Sequence, residues 1–397
     1  MPRFEPFQAL RYGSNVELKE VCSPPYDVLS DADRLALANK HENNIVHIDM
    51  PLAPSGNAYE HAASVLTQWI GNSVMVRDEV PSFTLYRMQF TDSTGKPRNV
   101  VGVIGALEVV DEGAGGVLPH ERTTPKAKTD RLELTRATDA NLSPVWGLSL
   151  ASGLSKLLSE PGEHLGSVID DLGVIHSVER VADGARIAAI STAISSHPVV
   201  IADGHHRYAI SRTYRDETRD RLNSKTSGAE LTMTYVNELI DEQLSVAAIH
   251  RLYEGISYKD LAAALSAFFT ITDADPVGPT TLSQMNERNS LCLVAKTGRT
   301  HWLTPIANKF AGVRNLDSAY LEHALSGVQH EVRYQHGVTE VQHELQTSDA
   351  TAAILIRPVS VAEIQRTANE GLLMPPKSTF FTPKLRTGFV LREMKTR

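Results

Sequence analysis

The sequence IADGHHRY, residues 201–208, contains the change from a strand pattern to a helix pattern on which the fold prediction depends. It continues the apolar run that begins at Pro198, which is typical of a buried strand, and from Tyr208 onward apolar residues recur at helical spacing. Gly204 lies between the two patterns and supplies a turn that other residues adopt less readily. The segment therefore predicts a strand, a tight turn and a helix that begins near His205.

The polar residues of this turn indicate an anion-binding site. Backbone N–H groups in the first turn of a helix lack partners and carry the positive end of the helix dipole. Arg207 can contact the same anion through two N–H groups, while His205 and His206 can donate hydrogen bonds or transfer a proton near neutral pH. Asp203 has two interpretations, a helix N-cap or a functional carboxylate. Packing gains nothing from this many polar side chains, so the sequence favours a ligand site.

Strand and helix patterns alternate along the rest of the chain. Helical spacing predicts helices at 31–40, 58–70, 184–196, 205–222, 258–267, 316–325 and 359–369. Alternating apolar residues predict a hairpin of residues 82–90 and 99–110, and further strands at 145–150, 173–181, 198–202, 231–237, 245–250, 291–296, 301–306 and 351–358. This interleaving indicates an α/β or α+β protein, and the hairpin predicts mixed sheets.

Length and composition indicate a globular protein of two domains. The 397 residues exceed what one hydrophobic core usually supports, so we expect a main domain at 1–255 and a smaller one at 256–397, whose C-terminal arm returns to the site. A net charge of -8 argues against a nucleic-acid binder, which needs a surplus of Lys and Arg. The two cysteines indicate neither a disulfide framework nor a zinc site. Without an apolar signal segment or a membrane-length apolar run, we expect a cytoplasmic protein.

The segment LPHERTTPKAKTDRLELTRATDANLSP, residues 118–144, is a second polar region. One interpretation is a solvated loop that leads into a surface helix at about 129–138. The other is a functional loop, because its prolines stiffen a segment that solvation alone does not require to be stiff. In that case Lys126 and Arg131 hold phosphate oxygens, and Glu121 accepts the proton of the attacking hydroxyl or binds Mg²⁺.

Two further segments combine prolines with polar side chains. MPPKSTFFTPKLRTGFVL, residues 374–391, carries Lys377 and Lys384, which face either solvent or an anion on an arm that its aromatic residues dock. SPPYDVLSDADR, residues 23–34, carries Tyr26 and Asp27, which either contact a substrate or only lead into the helix that Ser30 caps.

Four motifs in this order resemble an uncharacterised bacterial and archaeal family designated domain of unknown function 1015. They are SPPYDV, PHERTTPKAKTDR with ANLSP, IADGHHRY, and MPPKSTFF followed by PK, and they span essentially the whole chain. The resemblance identifies the family and implies little chemistry, because the function of that family is not settled.

The DGHHRY turn also resembles, more distantly, the glycine-x-histidine-arginine turn of the ParB and sulfiredoxin superfamily. In that group the turn opens a helix that grips nucleotide phosphates, and some members phosphorylate free serine. The resemblance implies a ParB/sulfiredoxin-like strand–turn–helix element in which Gly204, His205, His206 and Arg207 bind phosphate. The catalytic cysteine of sulfiredoxin would fall within this turn, where the chain has His205, which argues against sulfinic-acid repair. The basic helices with which ParB reads DNA are not evident.

These observations predict a nucleotide-dependent phosphotransferase that acts on a small hydroxylated metabolite, in the manner of a serine kinase. We assign catalytic roles to Glu121, Asp203, His205 and His120. We assign phosphate or nucleotide binding to Gly204, His206, Arg207, Lys126, Arg131, Lys377 and Lys384, and substrate binding to Tyr26, Asp27 and Asn141. The expected cofactors are Mg²⁺, with Glu121 and Asp203 as ligands, and one of ATP, ADP or CTP.

Two alternatives stay open beside this hypothesis. One is a phosphatase of a small phosphorylated metabolite such as phosphoserine, and the other is a non-catalytic nucleotide-binding switch of the ParB type. The expected partners are a small-molecule substrate and a nucleotide, with neither nucleic acid nor membrane. The sequence allows a homodimer but does not determine the oligomeric state.

Overall fold

The computed structural model describes residues 1–52, 56–92, 95–120 and 128–394, without the side chains of residues 128 and 129. The chain divides into a first unit, Met1–Ser245 with Pro383–Arg397, and a second unit, Val246–Thr382. The division therefore lies at residue 245 and not at 255, because residues 246–254 form strands of the second unit. The C-terminal segment from Pro383 belongs to the first unit, where Arg392 and Glu393 pair with Asn141 and Ala140.

The helices and strands are numbered in chain order. The strands are β1 (Phe4–Glu5), β2 (Leu10–Tyr12), β3 (Met75–Arg77), β4 (Phe83–Thr91), β5 (Pro97–Glu108), β6 (Val117–Pro119), β7 (Ala140–Asn141), β8 (Val145–Ser149), β9 (Glu163–Ile169), β10 (Ile175–Val181), β11 (Val199–Asp203), β12 (Leu231–Glu238), β13 (Val246–Ala247), β14 (Ile249–Glu254), β15 (Phe269–Asp273), β16 (Leu291–Ala295), β17 (Thr300–Pro305), β18 (Glu331–His336), β19 (Ala352–Leu355), β20 (Phe380–Phe381) and β21 (Arg392–Glu393). The helices are α1 (Leu18–Val21), α2 (Asp31–Lys40), α3 (Val46–Asp49), α4 (Ala58–Gly71), α5 (Lys128–Thr138), α6 (Leu154–Ser159), α7 (Gly184–Ser195), α8 (His205–Leu222), α9 (Tyr258–Ser266), α10 (Thr281–Arg288), α11 (Asp317–Leu325), α12 (Val338–Thr347) and α13 (Val361–Glu370).

A mixed sheet forms the centre of the first unit. Its strands lie in the order β6, β11, β8, β12, β5, β4, β10 and β9, and β1 pairs with the end of β5. The pairs β6–β11 and β8–β12 are parallel, whereas the other neighbours are antiparallel. The predicted α/β or α+β class with a mixed sheet is therefore confirmed, and the predicted hairpin is β4 and β5.

Helices cover this sheet and carry its core. Leu154 and Leu158 of α6 pack with Ile190 and Ile194 of α7 in one apolar cluster, together with the sheet residues Phe83, Leu85, Val103, Val199 and Ile201. The N-terminal helices α3, α4 and α5 build a second cluster, whose buried members include Ile48, Leu66, Trp69 and Leu134. Because β11 is anchored in the first cluster, the turn that follows it has a fixed starting point.

The second unit is an antiparallel sheet with helices on both faces. Its strands lie in the order β15, β17, β16, β19, β14 and β18. Alternate residues of one strand belong to different clusters: Leu293 packs with α9 and α11, whereas Cys292 packs with α10 and α12. This two-sided burial explains the continuous apolar sequence LCLVA of β16. None of the helices in the described ranges combines the length and the apolar character that crossing a bilayer requires.

We expect Gly102→Ala to destabilise the first unit. A Cβ atom at residue 102 would overlap the ring of Tyr235, which is fully buried and contacts Tyr86 and Trp146 edge-on. Overpacking of this kind typically costs about 1–3 kcal/mol. The matched control is Gly184→Ala in α7, where a Cβ atom meets nothing within 4 Å. Calorimetric unfolding should show a lower melting temperature for the first variant than for the second, and equal melting temperatures would contradict this packing.

Candidate functional site

The turn between β11 and α8 has a conformation that favours glycine. Gly204 has φ +82°, in the left-handed region, and its carbonyl oxygen accepts the N–H of Tyr208 at 2.9 Å. A Cβ atom at this position would lie 2.9 Å from Nε of Arg207, because the guanidinium group folds back over the turn. Gly204 is the N-cap residue of α8, and among the described residues no side chain caps this helix. The interpretation of Asp203 as the N-cap of this helix is therefore wrong.

Asp203 instead links two cations. Its Oδ2 accepts hydrogen bonds from Arg207 Nη2 at 3.2 Å and from Lys384 Nζ at 3.1 Å. Burial alone would raise the pKa of Asp203, but the charges of Lys384 and Arg207 outweigh burial and lower the pKa below its usual range. Asp203 is thus ionised at neutral pH and holds both cations beside the first turn of α8.

Arg207 is held by three protein groups. Besides its bond to Asp203, its Nη1 donates to the carbonyl oxygen of Pro144, and its Nη2 lies 3.8 Å from Oδ2 of Asp27. Its side chain is only 13% exposed. An anion that binds this guanidinium therefore competes with the groups at Nη1 and Nη2, whereas Nε has no hydrogen-bond partner among the described residues.

The described part of the site does not fit the predicted magnesium centre. Asp203 Oδ2 already faces two cations, which disfavours a third positive charge at the same oxygen. In the ranges that the structure describes, no group of three or more His, Cys, Asp or Glu side chains is arranged to hold a metal ion. The pairing also makes Asp203 a weak base. The predicted base and ligand Glu121 and the predicted phosphate ligand Lys126 lie outside the described residues.

A small cavity lies beside this turn. Its volume is about 50 Å³, and its polar lining residues include Tyr26, Asp49, Arg131, Asn141, Arg207 and Ser211. Four of these, Tyr26, Arg131, Asn141 and Arg207, were predicted as site residues, and they come from three separate parts of the sequence. The cavity thus brings the early, middle and central polar segments together within the first unit.

Arg131 orders one wall of this cavity. Its guanidinium carbon lies 4.1 Å from the centre of the Tyr26 ring, and its Nη1 donates to the backbone oxygen and to Oδ1 of Asp49, the latter at 3.3 Å. Its Nε bonds to Asp130 at 2.9 Å. Asp49 is only 2% exposed, and burial, opposed by Arg131, raises its pKa. Sequence reasoning missed Asp49, although an acid in the apolar run IVHIDM was a usable signal.

Asn141 has a structural role within the cavity wall. Its Oδ1 accepts the backbone N–H of Met233 at 3.0 Å and Nη1 of Arg392 at 3.2 Å, and its Nδ2 contacts the sulfur of Met394. The side chain thereby ties β7 to β12 and β21. Because these partners already occupy its amide, the structure gives no support to the predicted substrate contact.

The predicted histidines lie next to each other at the sheet edge. The rings of His120 and His205 are 5.0 Å apart. Nδ1 of His120 contacts the carbonyl oxygen of Ile201, opposite Pro119 of β6, which has no N–H to donate. Burial lowers the pKa of His120 to about 4, so its imidazole is neutral at pH 7. These contacts give His120 a role in closing the sheet edge, whereas His205 and His206 form the half-buried start of α8.

The two C-terminal lysines belong to different units. Lys384 joins the site in the first unit through Asp203. Lys377 belongs to the second unit, where its backbone has a left-handed φ of 56° and its carbonyl oxygen accepts Nη2 of Arg251 at 3.1 Å. A role of Lys377 in phosphate binding stays a prediction.

Comparison with known families gives one match. The family model described as "Protein of unknown function (DUF1015)" matches residues 4–319. No protein with a curated description matches the chain. The resemblance that the four sequence motifs indicated is therefore confirmed.

Several solved structures show a low similarity to part of this chain. A conserved hypothetical protein from Pyrococcus furiosus is 12% identical at a TM-score of 0.37, covering 69% of this chain and 92% of that one. A free serine kinase variant in complex with ADP is 12% identical at a TM-score of 0.38, covering 70% and 89%. SbnI from Staphylococcus aureus is 13% identical at 0.38, covering 72% and 85%. These similarities are too low to transfer a ligand or an activity to this chain.

We expect Gly204→Ala to destabilise the protein more than Gly153→Ala. Both glycines are helix N-cap residues with positive φ, +82° and +85°, so alanine strains the backbone equally at both. Only at residue 204 does the new Cβ atom also press on Arg207, since nothing lies within 4 Å at residue 153. The difference in the free energy of unfolding, measured in urea, should be about 1 kcal/mol or more. Equal losses would show that Arg207 does not fold over the turn.

Acid should destabilise the protein partly through His120. The folded-state pKa of about 4 lies below the ordinary value of 6.5, so protons bind the unfolded chain first as the pH falls. This contribution is complete above pH 6.5 and is lost towards pH 4, by up to about 3 kcal/mol. His120→Gln, which keeps an N–H donor but does not titrate, should flatten the decline in unfolding free energy over this interval. An unchanged slope would contradict a buried neutral imidazole.

Proposed function

The chain belongs to the DUF1015 family of proteins of unknown function, and we propose that it is a nucleotide-dependent phosphotransferase that acts on a small hydroxylated metabolite. One observation carries this proposal, namely the ionised Asp203 that gathers Lys384 and Arg207 at the start of α8. Backbone N–H groups, a helix dipole and two cations at one point are suited to phosphate oxygens. Phosphoryl transfer needs this kind of positioning and charge stabilisation more than it needs covalent chemistry by the protein.

In the proposed reaction, Arg207 and Lys384 bind the phosphates together with the first-turn amides of His205 and His206. The entering anion replaces hydrogen bonds that these cations make to Asp203. The negative charge of Asp203 then keeps both cations in position. The chemistry leaves open which of ATP, ADP and CTP is the donor. No step is assigned to a metal ion, because the described residues do not form a site for one.

Asp27 is the proposed general base. Its Oδ2 is 3.8 Å from Arg207 Nη2, which is beyond hydrogen-bonding distance, and its side chain is 35% exposed. The acceptor hydroxyl gives its proton to Asp27 while its oxygen forms a bond to the terminal phosphorus. The bond from that phosphorus to the bridging oxygen breaks, and the shortened nucleotide leaves with the electron pair. Glu121, the base predicted from sequence, stays an alternative outside the described residues.

A nucleotide-binding switch is a second candidate. The observation that favours it is the triple attachment of Arg207 to Pro144, Asp203 and Asp27. Anion binding that withdraws the guanidinium group from these partners would release three elements from one another. Such a protein binds nucleotide but transfers no phosphate to an acceptor.

The test is phosphorus NMR of the purified chain with each nucleotide, with and without MgCl₂, and a panel of hydroxylated metabolites. We expect transfer that depends on the acceptor. Arg207→Ala should weaken nucleotide binding by about tenfold or more, whereas Asp27→Asn should keep binding and lower turnover by about 100-fold or more. Arg212→Ala, on the same helix but paired with Glu112, is the matched control that should change neither.

Three outcomes would contradict parts of this proposal. Unchanged nucleotide affinity in Arg207→Ala would reject the phosphate site at the turn. Unchanged turnover in Asp27→Asn would remove Asp27 as the base. Binding of nucleotide without transfer to any acceptor would reject the phosphotransferase and favour the switch.

A further inference from the structure

Asp49 presents a carboxylate oxygen that no described group satisfies. The residue is the last of α3, is only 2% exposed and lines the cavity beside Arg207. Arg131 bonds to Oδ1, but Oδ2 is buried without a hydrogen-bond partner among the described residues. A buried polar atom without a partner is costly, and more so when it is charged. The oxygen is therefore a specific place for a ligand that donates a hydrogen bond.

Several neighbouring polar groups of the cavity already bond to other partners. The hydroxyl groups of Ser211 and Thr232 bond to each other at 2.9 Å, and Ser211 also bonds to the carbonyl oxygen of Arg207. The amide of Asn141 is used by β12 and β21. No described N–H or O–H group bonds to Oδ2 of Asp49, and a cationic donor matches a carboxylate best.

We propose that this cavity binds the ammonium end of a small primary amine that also carries a hydroxyl group, and that Asp49 Oδ2 receives an ammonium N–H. The inference rests on the proposed function in one respect, since it makes this amine the phosphoryl acceptor. The substrate class is then a small amino alcohol. Neutral alcohols of the same size lack the positive donor that Asp49 requires.

The dimensions of the cavity limit the ligand. Its volume is about 50 Å³, which is enough for a small ligand group. Leu134, Leu142 and Ile210 line it beside the polar groups and provide contacts for a short carbon chain. A quaternary ammonium does not fit this requirement, because it has no N–H to donate to Asp49.

The charges around Asp49 are consistent with an ammonium ligand. Burial raises the pKa of Asp49, while Arg131 and Arg207 lower it and Asp27 and Asp130 raise it again. The two arginines therefore do not fully compensate for the loss of water around this carboxylate. A bound ammonium supplies the missing positive charge at the oxygen that Arg131 does not reach.

The experiment compares two ligands of equal size on the full-length protein without nucleotide. Ethanolamine and ethylene glycol differ only in an amino group that replaces one hydroxyl. Saturation-transfer NMR and calorimetric titration should show that ethanolamine binds about tenfold tighter or more, and that choline does not bind. Asp49→Asn keeps the shape and an oxygen for Arg131, and should remove the preference for the amine. Asp130→Asn, which changes the other carboxylate on Arg131, is the matched control and should retain it.

Equal affinity for the two ligands, no binding of either, or an unchanged preference in Asp49→Asn would each overturn the amine site. If Asp49→Asn does not fold, the comparison on the parent protein still decides, because it needs no variant. The result is separate from the proposed function, since binding is measured without phosphoryl transfer. Transfer to a neutral alcohol without an amine preference would reject the amine site and leave the phosphotransferase intact. An amine preference without any phosphoryl transfer would support the amine site and reject the phosphotransferase.

Discussion

The pairing of Asp203 with two cations, Arg207 and Lys384, is the interaction on which the site depends. It joins the end of β11, the first turn of α8 and the C-terminal segment that carries Lys384. Without this carboxylate, two cations would stand next to each other and next to the positive end of a helix dipole. The three side chains are partly buried, so the pairing fixes their geometry even where its net stabilisation is small.

The turn of Gly204 makes that pair possible. A left-handed residue lets α8 begin immediately after the strand, and the missing side chain leaves room for the guanidinium group of Arg207 above it. From there Arg207 reaches both Asp203 and the carbonyl oxygen of Pro144. One glycine thus controls the entry of the helix, the position of the arginine and the access to the first-turn amides.

The sequence predicted those parts of the structure that periodicity and local chemistry determine. Helices α2 and α8 have the predicted bounds, because Ser30 with Asp33 and the Gly204 turn mark their starts. Strand β18, with the sequence EVRYQH, was missed because it is an exposed edge strand without an apolar face.

Site residues that act through distant partners were predicted less well. His120 was assigned to proton transfer, but a carbonyl group 81 positions away and deep burial make it neutral and structural. Asn141 was assigned to substrate, but β12 and β21 use its amide. Asp49 was not noticed, because its significance comes from a cavity that only the folded chain creates. In each case the deciding partner is remote in sequence, and spacing along the chain carries no information about it.

Asp203 and Asp49 show how one small region gives two carboxylates different tasks. Both carboxyl groups are withdrawn from water, and this burial taken alone raises the pKa of each. Two cations reach the same oxygen of Asp203 and reverse the effect, so this group stays charged and serves as an anchor. Arg131 donates to only one oxygen of Asp49, so the other oxygen has no hydrogen-bond donor among the described residues. Environments that shift the pKa values of two similar groups in different directions are a usual way for one site to give them different roles, here positioning and recognition.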